Sequence, residues 1–252
     1  MFISHKHRFI FFHIPKTAGS TLEKELCRQL GENEWRTKWA CPAWGTGTGR
    51  GSQEFTKHMR PWLARKRLGR DLFNSYFKFS TVRNPWDWHL SFYSMLTQWP
   101  KFASPLGHYA KNHGGRVHPM NDYKDFNEYI TLGSKGTGCG QLREYGSPCS
   151  RFLQDTDGQR AASKSRRLLV DDVISLENMD ADLNRIFSRL DLDPPDMTRR
   201  DPKVTSCGEP WDCSSRHPPA GEVYSKNTWN IIKSLNTVDI LRFNWGSLSL
   251  ET

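Results

Sequence analysis

The chain has 252 residues, enough for one ordinary or slightly large domain with a real core, and ten tryptophans concentrate its apolar mass in aromatic side chains. Its longest apolar run, Phe9 to Ile14, is too short to cross a bilayer and lacks the small-residue cleavage site of a secretory signal. A net charge of +9 favours anionic partners. The expectation is a soluble, cytoplasmic chain; a lumenal location follows only if an anchor precedes this numbering. Between Arg36 and Arg70 nine Lys or Arg face a single acid, Glu54. This segment reads either as a solvated basic surface or as a rim steering an anionic cofactor or acceptor. It carries no helix-turn-helix, zinc-finger or RNA-binding signature, so nucleic acid is not the expected partner.

In chain order, Arg8 to Ile14 reads as a strand buried on both faces and ended by Pro15. A small-residue turn follows, then Leu22, Leu26 and Leu30 at helical spacing, with Gly31 in the stop position. Residues 31–51 read as a long loop, and His58 to Leu68 as a helix opened by His58. Tyr76 to Val82 is a second strand. Asn84 and Pro85 open the next helix as N-cap and first helical residue, with Asp87 completing a capping box. From Gln98 to Ser165 the sequence is irregular, with one helical segment near Tyr123 to Leu132. Leu168 to Leu176 is a further strand, Leu183, Ile186, Phe187 and Leu190 mark a helix, and a last helical region covers Glu222 to Phe243. Strands alternating with helices predict a single-domain α/β fold with a central, mainly parallel sheet flanked by helices.

The six cysteines include no C-x-x-C pair, and no metal is expected. Cys27 is read as a small buried hydrophobe; Cys139/Cys149 and Cys207/Cys213 could close disulfides in an oxidising compartment.

Pro15-Lys16-Thr17-Ala18-Gly19-Ser20-Thr21 occupies a strand-to-helix junction, where free N–H groups and the helix dipole favour phosphate or sulfate. It offers one cation, several hydroxyls and small residues that admit an anion. A Walker A loop has its lysine last, after Gly-x-x-x-x-Gly; here the lysine comes first, so the nucleoside-triphosphatase reading fails on spacing. A second element, Phe79-Ser80-Thr81-Val82-Arg83-Asn84-Pro85-Trp86-Asp87, continues to Ser91. Arg83 can fork onto phosphate oxygens, or pair with Asp87.

Phe-Phe-His-Ile-Pro-Lys-Thr-Ala-Gly-Ser-Thr resembles the 5'-phosphosulfate loop of the membrane-type (carbohydrate) sulfotransferases, which include heparan 2-O-sulfotransferase-like and related bacterial enzymes. The segment from Phe79 to Tyr93 resembles the same family's 3'-phosphate element. The resemblance implies a P-loop-nucleotide-hydrolase-like sulfotransferase fold over residues 1–252, with 98–165 as an acceptor-side insertion. It implies 3'-phosphoadenylyl sulfate (PAPS) as donor. Lys16 is then the catalytic cation, Thr17, Ala18, Gly19, Ser20 and Thr21 line the donor's 5' end, and Arg83 and Ser91 contact its 3'-phosphate. Its implied general base is His58, in Lys57-His58-Met59-Arg60; Glu54 is the alternative base, and His58 could instead be a solvent-facing helix histidine. His13 is read as structural. Ile174-Ser175-Leu176-Glu177-Asn178 resembles the family's late strand-turn-helix segment, but Ser175 replaces a common arginine, and the clamping loop that usually follows has no clear counterpart in 199–220. The implied acceptor is a glycan or small hydroxylated molecule, with basic charge suiting an acidic one. Two other readings stay open: a nucleotide-kinase-like phosphotransferase using Asp171 or Asp172 for Mg²⁺, and a non-catalytic binder of anionic polymers.

Overall fold

The computed structural model describes residues 1–30, 35–36, 57–98, 123–135, 146–155, 162–197 and 217–250. Glu54, Cys41, Cys139, Cys207 and Cys213, residues 37–56 of the basic 36–70 segment and residues 199–216 of the 199–220 loop lie outside these residues. The chain divides into two compact units. The first takes Met1–Arg83, Phe152–Arg160 and Arg166–Pro210; the second takes Asn84–Arg151, Ala161–Ser165 and Trp211–Thr252.

The first unit is built on one five-stranded sheet. Its strands are β1 (Phe2–Ser4), β2 (Phe9–Phe12), β3 (Trp35–Arg36), β4 (Phe77–Val82) and β5 (Asp172–Ser175). They lie in the order β3-β1-β2-β4-β5. β2, β4 and β5 run parallel, with Phe11 opposite Phe79 and Phe79 opposite Asp172. The expected α/β architecture with a parallel centre is present. β1 and β3 extend it as an antiparallel edge. All four residues of β2 are fully buried, as expected of a strand covered on both faces. One face carries helix α1 (Gly19–Leu30), through Leu22 and Leu26, and helix α7 (Met179–Arg189), through Leu183, Ile186 and Phe187. Phe9, Phe11 and Phe187 pack around Phe79, with ring centroids 5.4–6.2 Å apart. Cys27 is only partly buried, at the margin of this core.

Helix α2 runs Pro61–Leu68, so it starts three residues later than expected and leaves His58 in the preceding turn. Arg60, held extended (φ −75°, ψ 147°), shows why: the residue before a proline is pushed out of the helical region. Gly69, at φ 82°, then turns the chain into α3 (Arg70–Ser75).

The second unit is helical: α4 (Pro85–Gln98), α5 (Phe126–Ser134), the start of α6 (Pro148–Leu153), α8 (Ala220–Val223), α9 (Lys226–Leu235) and α10 (Thr237–Arg242). Asn84 caps α4 as expected: its side-chain oxygen accepts from Asp87 N, and its amide donates to the Asp87 carboxylate, both at 2.9 Å. The last helical region is three helices rather than one, because a capping box at Ser225/Thr228 and the buried Asn236 each start a new one. The core of this unit is Trp86, Trp88, Phe92, Phe126, Tyr129, Tyr224 and their aliphatic neighbours. Cys149 is fully buried here. No described helix is long and apolar enough to cross a membrane.

Candidate active site at the β2–α1 junction

The loop leaves the carboxyl end of β2, where an open parallel sheet offers its ligand sites. Lys16 (φ 66°) and Ala18 (φ 60°) both hold left-handed backbone, a strained choice for residues with a Cβ. Thr17 between them pins that shape. Its side chain is fully buried, and its hydroxyl donates to Ile14 O at 2.8 Å and lies 2.7 Å from the Thr81 hydroxyl on β4. With its hydroxyl so committed, Thr17 has its backbone N–H to offer an anion. Helix α1 begins at Gly19; the Thr21 and Leu22 N–H groups donate to the Ala18 carbonyl at 3.0 and 3.2 Å, while those of Gly19 and Ser20 precede the first intrahelical acceptor. A Cβ on Gly19 would come within 2.2 Å of the His13 ring, so only glycine lets helix and strand approach this closely.

Behind the loop sits a knot of buried ionisable groups. The His13 ring is 2% exposed, with Nδ1 3.2 Å from a Glu23 carboxylate oxygen. Burial takes its pKa down to about 4, outweighing the pull of Glu23, so the ring is neutral at pH 7. Burial works against ionisation of Glu23 too, yet the Met1 amino group, His13 and Lys57 together hold its carboxyl well below the usual carboxylate range. The Met1 amino group donates to Glu23 at 2.9 Å and also to the Lys57 carbonyl. Lys57 is buried and donates from Nζ to Ser20 Oγ at 2.9 Å.

His58 packs edge-on to His13, ring centroids 4.6 Å apart, and its Nδ1 lies 3.0 Å from the His13 carbonyl oxygen. A carbonyl only accepts, so Nδ1 carries the proton and Nε2 keeps its lone pair. Burial, and then His13, push the His58 pKa well below the ordinary histidine value. The ring is therefore neutral under physiological conditions, with the Nε2 lone pair unprotonated.

Arg83 follows β4, and its guanidinium approaches the Lys16 carbonyl at 3.4 Å. Lys16 to Thr21, His58 and Arg83 thus gather at one end of the sheet of the first unit. Ser91 lies on α4 in the second unit and is 2% exposed. Asp171, at the opposite end of β4, accepts from both Lys78 N and Lys78 Nζ at 2.8 Å, while Asp172 pairs with Arg185. Lys57 and Glu23 were not singled out by the sequence pattern: Lys57 looks like one member of a basic run, and Glu23 like an ordinary helix carboxylate. The adjacency of Lys57 to His58 was the available signal.

A strand-to-helix loop carrying Lys16, with Arg83 against its backbone and a neutral, tautomer-fixed histidine at the same end of the sheet, can accommodate an anionic group. The model of the Sulfotransferase family matches residues 1–165 of the chain. Comparison with curated proteins and with solved structures gave no match. On that match, the chain belongs to the Sulfotransferase family.

Proposed function

We propose that this protein transfers a sulfuryl group from PAPS to a hydroxyl or amine, with a carbohydrate as the acceptor class. The observation that carries the reading is the convergence of Lys16, the α1 N-terminus and Arg83 at the β2–α1 junction. PAPS supplies the sulfuryl group on a phosphate leaving group. Lys16 neutralises charge that develops on the bridging oxygen, and the N–H groups of the loop and of Gly19 and Ser20 hold the 5'-phosphate. His58 takes the acceptor's proton at Nε2 as the acceptor oxygen bonds to sulfur and the sulfur–phosphate oxygen bond breaks. For the 3' end the reading rests on the sequence match of Arg83 and Ser91.

The phosphotransferase alternative loses ground, because both of its candidate Mg²⁺ carboxylates are engaged by cations. The excess basic charge favours an acidic glycan. The test is transfer of labelled sulfur from PAPS across a panel of glycans and small alcohols. Incorporation that is lost in His58→Ala supports the proposal. Phosphate transfer from labelled ATP, with no sulfur transfer to any acceptor, overturns it.

A further inference from the structure

Lys57 is not absorbed by the roles assigned above. It is 8% exposed, and burying an ammonium is costly unless its charge is used or balanced. Its Nζ does not merely tie two backbone segments together: it donates to the hydroxyl of Ser20, the second residue of α1. An ammonium has only donors. Ser20 Oγ must therefore accept from Lys57, which leaves the hydroxyl hydrogen of Ser20 to donate elsewhere. At the first turn of a helix, an anion is the favoured recipient.

Charge makes the same point. The α1 N-terminus is the positive end of a helix dipole, with Lys16 three residues before its first residue. Lys57 adds a second, buried positive charge directed at that turn. The same charge also reaches the Glu23 carboxylate, which holds the Met1 amino group and lies beside His13.

We propose that Lys57 is a positioning residue of the donor site: it fixes Ser20 as a hydrogen-bond donor to the 5'-phosphate and places a second positive charge one hydrogen bond behind it. The proposal rests on reading the β2–α1 loop as the donor site. It is tested by calorimetry with two ligands, adenosine 3',5'-bisphosphate and adenosine 3'-monophosphate, on the wild-type chain and Lys57→Met. Loss of a charge-assisted contact should weaken the bisphosphate roughly 10- to 100-fold. The 3'-monophosphate, which lacks the group Lys57 serves, should bind within about twofold of wild type. An equal loss for both ligands, or none for either, overturns the proposal. If Lys57→Met does not fold, Glu23→Gln/Lys57→Met, which removes the carboxylate as well as the lysine, is compared with Glu23→Gln; equal bisphosphate affinity in those two overturns it. Failure of the wild-type chain to bind the bisphosphate would remove the donor-site reading and the proposal together, an outcome distinct from either variant result.

Discussion

The two units bury polar groups for different ends. In the helical unit, the buried groups Asp239, Trp86 and Tyr224 bond to the backbone. The Asp239 carboxylate accepts from Cys149 N at 2.9 Å and Ser150 N at 2.7 Å, capping α6. Trp86 Nε1 donates to Trp229 O, and Tyr224 OH donates to Trp86 O. In the sheet unit, the core facing α1 and α7 is phenylalanine and aliphatic, and His13, Glu23, Lys57 and His58 sit at the end of the sheet that carries the loop. Polar burial in the helical unit specifies packing. Around β2 and α1 it specifies a charge pattern and a tautomer, as the proposed donor site requires.

Substitutions can break this contrast, and the largest effects should fall in the sheet unit. His58→Ala should lower turnover about 10²- to 10⁴-fold while leaving adenosine 3',5'-bisphosphate affinity near wild type, read from labelled-sulfur transfer alongside calorimetry. A variant that retains full turnover would remove the base assignment. Lys16→Ala should lower kcat about 10²- to 10³-fold with little change in thermal stability. Asp239→Ala should act through folding instead, costing about 2–4 kcal/mol in urea denaturation because two buried N–H groups lose their acceptor. Gly19→Ala belongs to both categories: its methyl meets the His13 ring, which should cost about 1–3 kcal/mol and weaken bisphosphate binding at the same time.

The pH dependence also separates the units, because opposing groups offset one another in only one of them. His13, lowered to about 4, contributes stability that is present above pH 6.5 and lost as pH falls through about 4; His58 shifts the same way. In the helical unit, His89 is also lowered by burial to about 4, but Asp239 is raised by burial to about 6. The raised carboxyl favours the folded state at low pH and loses that contribution as pH rises through 6, so it opposes His89 across the same window. Hydrogen exchange at pH 6.5 and 4.5 should show protection falling in β2 and α1 but changing by less than about 1 kcal/mol in α10. Equal losses in both units would show that the two groups do not offset one another.

Much of the sheet unit was legible in the sequence. The uninterrupted apolar run of β2, Pro15 after it and the leucine spacing of α1 are local patterns, and so is the Asn84/Asp87 cap of α4. Three features were not. β1 is three residues long, too short to show a period. The helix expected from His58 starts at Pro61, because proline's effect on Arg60 outweighed helical propensity. Lys57 looked like one charge in a basic run, since its contact with Ser20 spans 37 positions and exists only once β2 and α1 have packed. The same holds for Thr17 and Thr81, whose contact spans 64 positions, and for His13 against Gly19. Local sequence gave the loop; long-range packing gave its charge and its tautomer.

The central claim is that the β2–α1 junction is a PAPS donor site, and calorimetry with adenosine 3',5'-bisphosphate in the absence of Mg²⁺ tests it most directly. The account predicts tight binding to the wild-type chain, weakened in both Lys16→Ala and Arg83→Ala. Tighter binding of ATP with Mg²⁺, or bisphosphate affinity unchanged in both variants, would contradict it.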